Sequence, residues 1–132
     1  MPKQMKHKTR ARRAFTLIEL LVVMAIIGLL LALALPRYYA SVERARETAL
    51  KENLQILRIS IERFYADRGR YPENLQELVS AKYLRALPLD PITESQQSWT
   101  PVLSQEIDLP GVADVRSGAA GATQDGTPYE QL

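Results

Sequence analysis

The sequence contains no cysteine, which removes both disulfide stapling and thiolate metal sites from consideration. Histidine is almost as scarce: His7 is the only one, and it lies among lysines and arginines at the N-terminus. A Ser/His/Asp or Cys/His relay therefore has no material outside that tail, and histidine-ligated zinc is excluded with it. Carboxylates are plentiful, yet no pair stands out from ordinary solvated acids, so the chemistry argues against an enzyme. Acids are missing altogether from residues 1–14, which carry Lys3, Lys6, Lys8, Arg10, Arg12 and Arg13. The rest of the chain holds eleven cations against 15 acids, a net charge of −4. The pI of about 9.0 thus reports a short tail rather than a basic folded face, and no nucleic-acid partner is expected. At 132 residues any soluble core is small.

What the chain does have is one long apolar run, Phe15 to Leu35, FTLIELLVVMAIIGLLLALAL, with Glu19 as its single charge. As a helix it spans roughly 32 Å, the hydrocarbon thickness of a bilayer. A basic flank on its N-terminal side predicts that this end stays in the cytoplasm and the remainder is exported. Three readings compete. A cleaved secretory signal would use Ala32-Leu33-Ala34, but the run exceeds the roughly 7 to 15 apolar residues of such signals, is interrupted by an acid, and is followed by Pro36 and a continuing helical pattern. A plain single-pass anchor lets Glu19 reach the nearby interface. In the third reading the acid seeks a partner, because a carboxylate inside the membrane costs about 2.5–3.5 kcal/mol on insertion scales.

Pro36 removes one backbone donor and clashes with the carbonyl four residues back, which predicts a kink or a locally melted stretch. Gly28 is tolerated in a membrane helix or loosens the same region. Beyond the proline, Leu50, Leu54, Leu57, Ile61 and Phe64 recur at spacings of four and three, one apolar stripe on a helix. Gly69 and Pro72 supply the stop. One helix from about Thr16 to Arg68 follows, apolar all round in its first half and amphipathic in its second. A coiled coil is the rival reading of the stripe, though it lasts barely two heptads. Glu43, Arg44, Arg46, Glu47 and Lys51 read as a solvated face with pairs such as Glu47 to Lys51. Leu75, Leu78, Val79 and Tyr83 predict a short second helix, and the stretches from Trp99 to Leu103 and Gly111 to Val115 predict two strands of a small antiparallel sheet. Trp99 is expected as a packing anchor. The fold class is therefore α+β, a long N-terminal helix packed on a small antiparallel sheet.

The stretch RRAFTLIELLVVMAIIGLLLALALP resembles the class III signal of type IV pilins and type II secretion pseudopilins: a basic leader, a small residue, Phe, Thr, Leu, a variable residue, Glu, then an apolar helix. The resemblance implies that a prepilin peptidase cuts between Ala14 and Phe15 and that Phe15 is then methylated. It further implies that Glu19 and Pro36 serve assembly, with Glu19 neutralising the new α-amino group of an adjacent copy. The family usually has Gly before the cut; Ala14 is small enough for a tight subsite, so cleavage is still expected. Three segments follow: a cleaved leader at 1–14, a transmembrane and assembly helix at 15–36, and an amphipathic half-helix with a periplasmic globular domain at 37–132.

Tyr71, Pro72, Tyr83, Leu84, Leu87, Pro88, Asp90 and Pro91 look like the matching part of the G-type major pseudopilin group. Members of that group hold their C-terminal loop with calcium, a cation served by oxygen ligands. Carried over, Asp125 and Ser117 are the candidate ligands, with Asp114 further off, while Ala119 and Ala120 stand where relatives tend to offer an acid. The competing reading is a surface turn at Asp125-Gly126. The resemblance implies a structural subunit of the inner membrane that polymerises with itself and with related minor pseudopilins, drawn into a periplasmic fibre by an assembly platform and a cytoplasmic ATPase. Two alternatives stay open: a membrane-anchored or secreted module that does not polymerise, and a minor pilin of a DNA-uptake pilus.

Overall fold

The computed structural model describes residues 16–132. Helix α1, Leu17–Arg68, runs for 52 residues. Its start is capped locally, because the Glu19 amide donates to Thr16 Oγ1 at 3.2 Å and the Leu20 amide to the Thr16 carbonyl at 3.1 Å. The hydroxyl thereby satisfies one of the orphan donors at the helix start, and the carbonyl accepts the first bond of the helical ladder. Its end is set by Gly69, whose φ of 65° is the left-handed geometry that lets its amide bond back to the Tyr65 carbonyl at 2.8 Å. Only a residue without Cβ enters that region at little cost.

Of the kink or melted stretch that the sequence predicts at Pro36, the melting does not occur: the helix is unbroken across Gly28 and Pro36. A proline deletes only its own donor, and good helix formers on either side keep the rest of the ladder intact.

Two compact units divide the chain between Ala40 and Ser41. In the first, every described residue from Thr16 to Ala40 is exposed, including Leu17 at 82% and Leu33 at 67%. Tyr38 and Tyr39 stand at its end, their rings 5.8 Å apart in an edge-on arrangement.

The second unit has one core. Leu50, Leu54, Leu57, Ile61 and Phe64 of α1 are all buried, as their spacing required, and they meet Leu75, Leu78, Trp99, Val112, Val115, Ala119 and Tyr129. Helix α2, Leu75–Ser80, is capped by Asn74, whose side chain accepts the Glu77 amide at 2.9 Å. It stops before Tyr83, which had been expected to lie on it. Lys82 turns left-handed at φ 68°, and the Tyr83 and Leu84 amides fold back onto the Leu78 carbonyl. Tyr83 then packs beside Phe64 with ring centres 5.4 Å apart. Strands β1, Thr100–Leu103, and β2, Val112–Arg116, pair antiparallel with Thr100 opposite Arg116 and an irregularity between Val102 and Leu103. A 3₁₀ turn, Tyr129–Gln131, closes the C-terminal stretch. Trp99 is buried and donates its indole N–H to the Pro88 carbonyl at 2.8 Å.

Arg70 grips Glu77 with two parallel bonds of 3.1 and 3.0 Å. That grip, helped by the Glu73 amide, holds the Glu77 carboxyl below its ordinary value of 4.5. A group depressed in the folded state contributes stability above its unfolded pKa and loses it as pH falls through the folded one. Thermal stability is therefore expected to hold from neutrality to roughly pH 5 and to decline below that. A Glu77→Gln variant should show a shallower acid decline in a melting-temperature series; an unchanged slope would remove the pair from the account. The effect is modest because the pair is solvent-screened.

Candidate assembly segment and C-terminal loop

Ala14 and Phe15, the expected cleavage and methylation residues, lie outside the described residues, as does the whole leader. Glu19 is placed in the first turn of α1, the third residue of the helix, on an exposed surface. Thr16-x-x-Glu19 has the spacing of a capping box, in which a hydroxyl serves the amide of the residue three further on. This signal is present in the sequence as the Thr16-to-Glu19 spacing. A carboxylate here also faces the positive end of the helix dipole, worth about 0.3–1 kcal/mol. Glu19 thus has a local structural reason to exist. That reason is smaller than the cost of holding a charge in lipid, so it leaves room for a second role.

Pro36 sits 17 positions beyond Glu19 on the same helix. Between them the helix offers only apolar and small side chains to its surroundings, and it is long and apolar enough to cross a membrane.

The two candidate calcium ligands answer to different partners. Ser117 is buried and donates to Oδ2 of Asp90 at 2.6 Å, while accepting the Ala119 amide at 3.1 Å. Asp90 is fully buried; its other oxygen accepts the Ile92 amide at 2.9 Å and the Thr93 amide at 3.3 Å. Asp125 accepts the Thr123 hydroxyl and the Thr127 amide, and these hydrogen bonds hold its carboxyl below the ordinary aspartate value. Asp114 is taken by Arg58 at 2.9 Å. Calcium takes six to eight oxygens, and among the described residues no group of three or more His, Asp or Glu side chains is gathered for a metal. The Ser117 hydroxyl and the Asp125 carboxylate are each engaged by the protein partners just named.

What does hold the C-terminal stretch is a series of contacts from α1 that helical spacing could not reveal. Arg58 donates to Asp114 and also to the carbonyls of Val115 at 3.0 Å and Leu132 at 2.6 Å. Glu47 accepts the Gln124 amide at 2.6 Å, and Arg44 reaches the Gln124 side chain at 3.2 Å. The expected Glu47 to Lys51 pair is not formed: the ion pairs among the described residues are Arg58–Asp114 and Arg70–Glu77. The backbone N–H of Gln124 outcompetes an exposed i,i+4 cation because the latter is worth only a few tenths of a kcal/mol.

A helix that is apolar all round in its first part, and that carries a small α+β core on its second, defines a pilin-like structural subunit. Residues 9–35 match the prokaryotic N-terminal methylation motif. The chain is 31% identical over 114 residues to the type II secretion system core protein G of Klebsiella pneumoniae, covering 74% of this chain and 81% of that one. It is 28% identical over 133 residues to the protein of the same description from Pseudomonas aeruginosa, covering 88% and 94%. Against the type IV major alpha-pilin of Moraxella bovis it is 32% identical over 115 residues, covering 86% and 69%. No solved structure matches the chain. The chain belongs to the type IV pilin-like family that includes the type II secretion pseudopilins.

Proposed function

We propose that this chain is a prepilin of the inner membrane, cut between Ala14 and Phe15, methylated on Phe15, and polymerised through its N-terminal helices into a periplasmic fibre. The observation that carries the reading is the methylation motif over residues 9–35, continuous with an apolar helix whose first turn bears Glu19. Cleavage turns the chain's new end into a cation next to the helix start. Glu19 of one copy then neutralises the terminal amine of its neighbour, which sets axial register. Lipid and a fibre core differ little in polarity, so packing and this charge pair provide the selectivity.

The relatives point to two host machines, type II secretion and a type IV pilus, and the subunit fits either as a force-bearing repeat. Its partners are then further copies of itself, related minor pseudopilins, a prepilin peptidase and an inner-membrane assembly platform. Its N-terminus faces the cytoplasm and its globular unit the periplasm. The net charge of −4 after leader removal favours this role over uptake of DNA, which needs a basic fibre surface.

Mass spectrometry of the purified chain tests the reading. A methylated N-terminal Phe15 is expected. A product starting at Leu35 would make the segment a secretory signal, and one that retains Met1 or Pro2 would make it a plain anchor.

A further inference from the structure

We propose that Arg37, Tyr38 and Tyr39 form an interfacial collar that seats the helix at a fixed depth in the bilayer before assembly, with the lipid headgroup boundary as its occupant. The proposal deepens the membrane reading above and rests on it. The apolar run ends at Leu35, and at about 1.5 Å per residue the two rings lie only some 5 Å beyond it. Both are large aromatic side chains left exposed, Tyr38 at 63% and Tyr39 at 62%.

Their adjacency matters. Consecutive helix positions are about 100° apart, so the two rings, edge-on to each other at 5.8 Å, sweep a broad sector around the axis. A knob meant for one partner helix would instead repeat at three or four residues, on a single face. A tyrosine has an apolar body and a polar tip, the combination that concentrates at membrane–water boundaries. Arg37 adds a cation on a long apolar stem that can lie along the chains while its head stays among phosphates. At the other end of the run the anchoring cations belong to residues 3–13, which processing would remove. The collar is the anchor that survives cleavage.

The test uses the full chain in vesicles of phosphatidylcholine and phosphatidylglycerol carrying lipid-borne quenchers at defined depths. Tryptophan is placed singly by Tyr38→Trp and by Ile26→Trp, and the signal of the parent chain with its native Trp99 is subtracted. Ile26→Trp should be quenched best by a label near the acyl-chain ends. Tyr38→Trp should be quenched best by a label near the headgroups, by roughly twofold or more over the deep label, as an interfacial ring requires. Adding Tyr38→Ala and Tyr39→Ala to Ile26→Trp should shift the depth profile of position 26. If Ile26→Trp is quenched at depth while Tyr38→Trp escapes every label or follows the deep one, the collar is overturned and the membrane reading stands. An unshifted profile in the double alanine background also overturns it. No quenching of Ile26→Trp at any depth would bring down the membrane reading itself, and the collar with it.

Discussion

Replacing Glu19 by glutamine is expected to reduce fibre yield about ten- to a hundredfold, because a hydrogen bond to a charged group contributes roughly 1.5–3 kcal/mol and each 1.4 kcal/mol is a factor of ten. Glutamine is the informative choice because it keeps the hydrogen-bonding capacity that suits the third position of a helix beside Thr16, while discarding the charge. Alanine at the same position removes both. If the acid acts on a neighbour's terminal amine, glutamine and alanine fail alike in a quantitative pelleting or microscopy assay of fibres. If glutamine assembles normally and alanine does not, the residue is a cap and the charge pair is wrong. In either variant the unit Ser41–Leu132 should melt at the parental temperature, since Glu19 lies outside it.

The second large effect is on stability. Phe64→Ala is expected to destabilise the globular unit by about 3–5 kcal/mol, the range for deleting a fully buried aromatic ring. For a unit of this length the total is on the order of 5–14 kcal/mol, so a large share is lost. The ring is fully buried, with the Arg68 guanidinium 5.1 Å and that of Arg70 5.0 Å from its centre, and Tyr83 against it. Removing it takes away the aromatic face that Arg70 covers and leaves Arg68 with the Tyr83 ring, 5.9 Å away. Urea unfolding of the full chain in detergent, followed by Trp99 emission, reads the change as a lower midpoint at constant slope. The contrasting control is Ile107→Ala: that side chain is 97% exposed, and its loss should stay within about 0.5 kcal/mol. A midpoint for Phe64→Ala as mild as that of Ile107→Ala would mean that the stripe on α1 is not the centre of the core.

Much of this architecture was legible because its cause is local and periodic. Leu50, Leu54, Leu57, Ile61 and Phe64 announce a helix face by spacing alone, and a face that apolar on an otherwise charged helix has to be covered. Gly69 marked the end of α1 for an equally local reason. The strands were visible to within one residue, since Trp99 and Gly111 lie just outside β1 and β2 rather than in them.

Pairings distant in sequence were not legible. Ser117 meets Asp90 across 27 positions, and Arg58 meets Leu132 across 74. Nothing in either neighbourhood specifies the other, so the buried Ser117–Asp90 bond could not be read from the sequence. Tyr83 was misplaced onto α2 for a subtler reason. The break is made by Lys82 in a left-handed conformation, which side chains other than glycine and asparagine seldom signal.

Arg58 has one more implication. On the proposed function the subunit is drawn out of a membrane and would bear load, which a covalent cross-link could resist; with no cysteine in the chain, that route is closed. Here the strap across the C-terminal stretch is a guanidinium gripping a carboxylate and two carbonyls. Such a strap yields and re-forms without an oxidant or a shuffling enzyme. If assembly proceeds as proposed, a copy pulled open on the way would be able to close this strap again whatever the redox state around it.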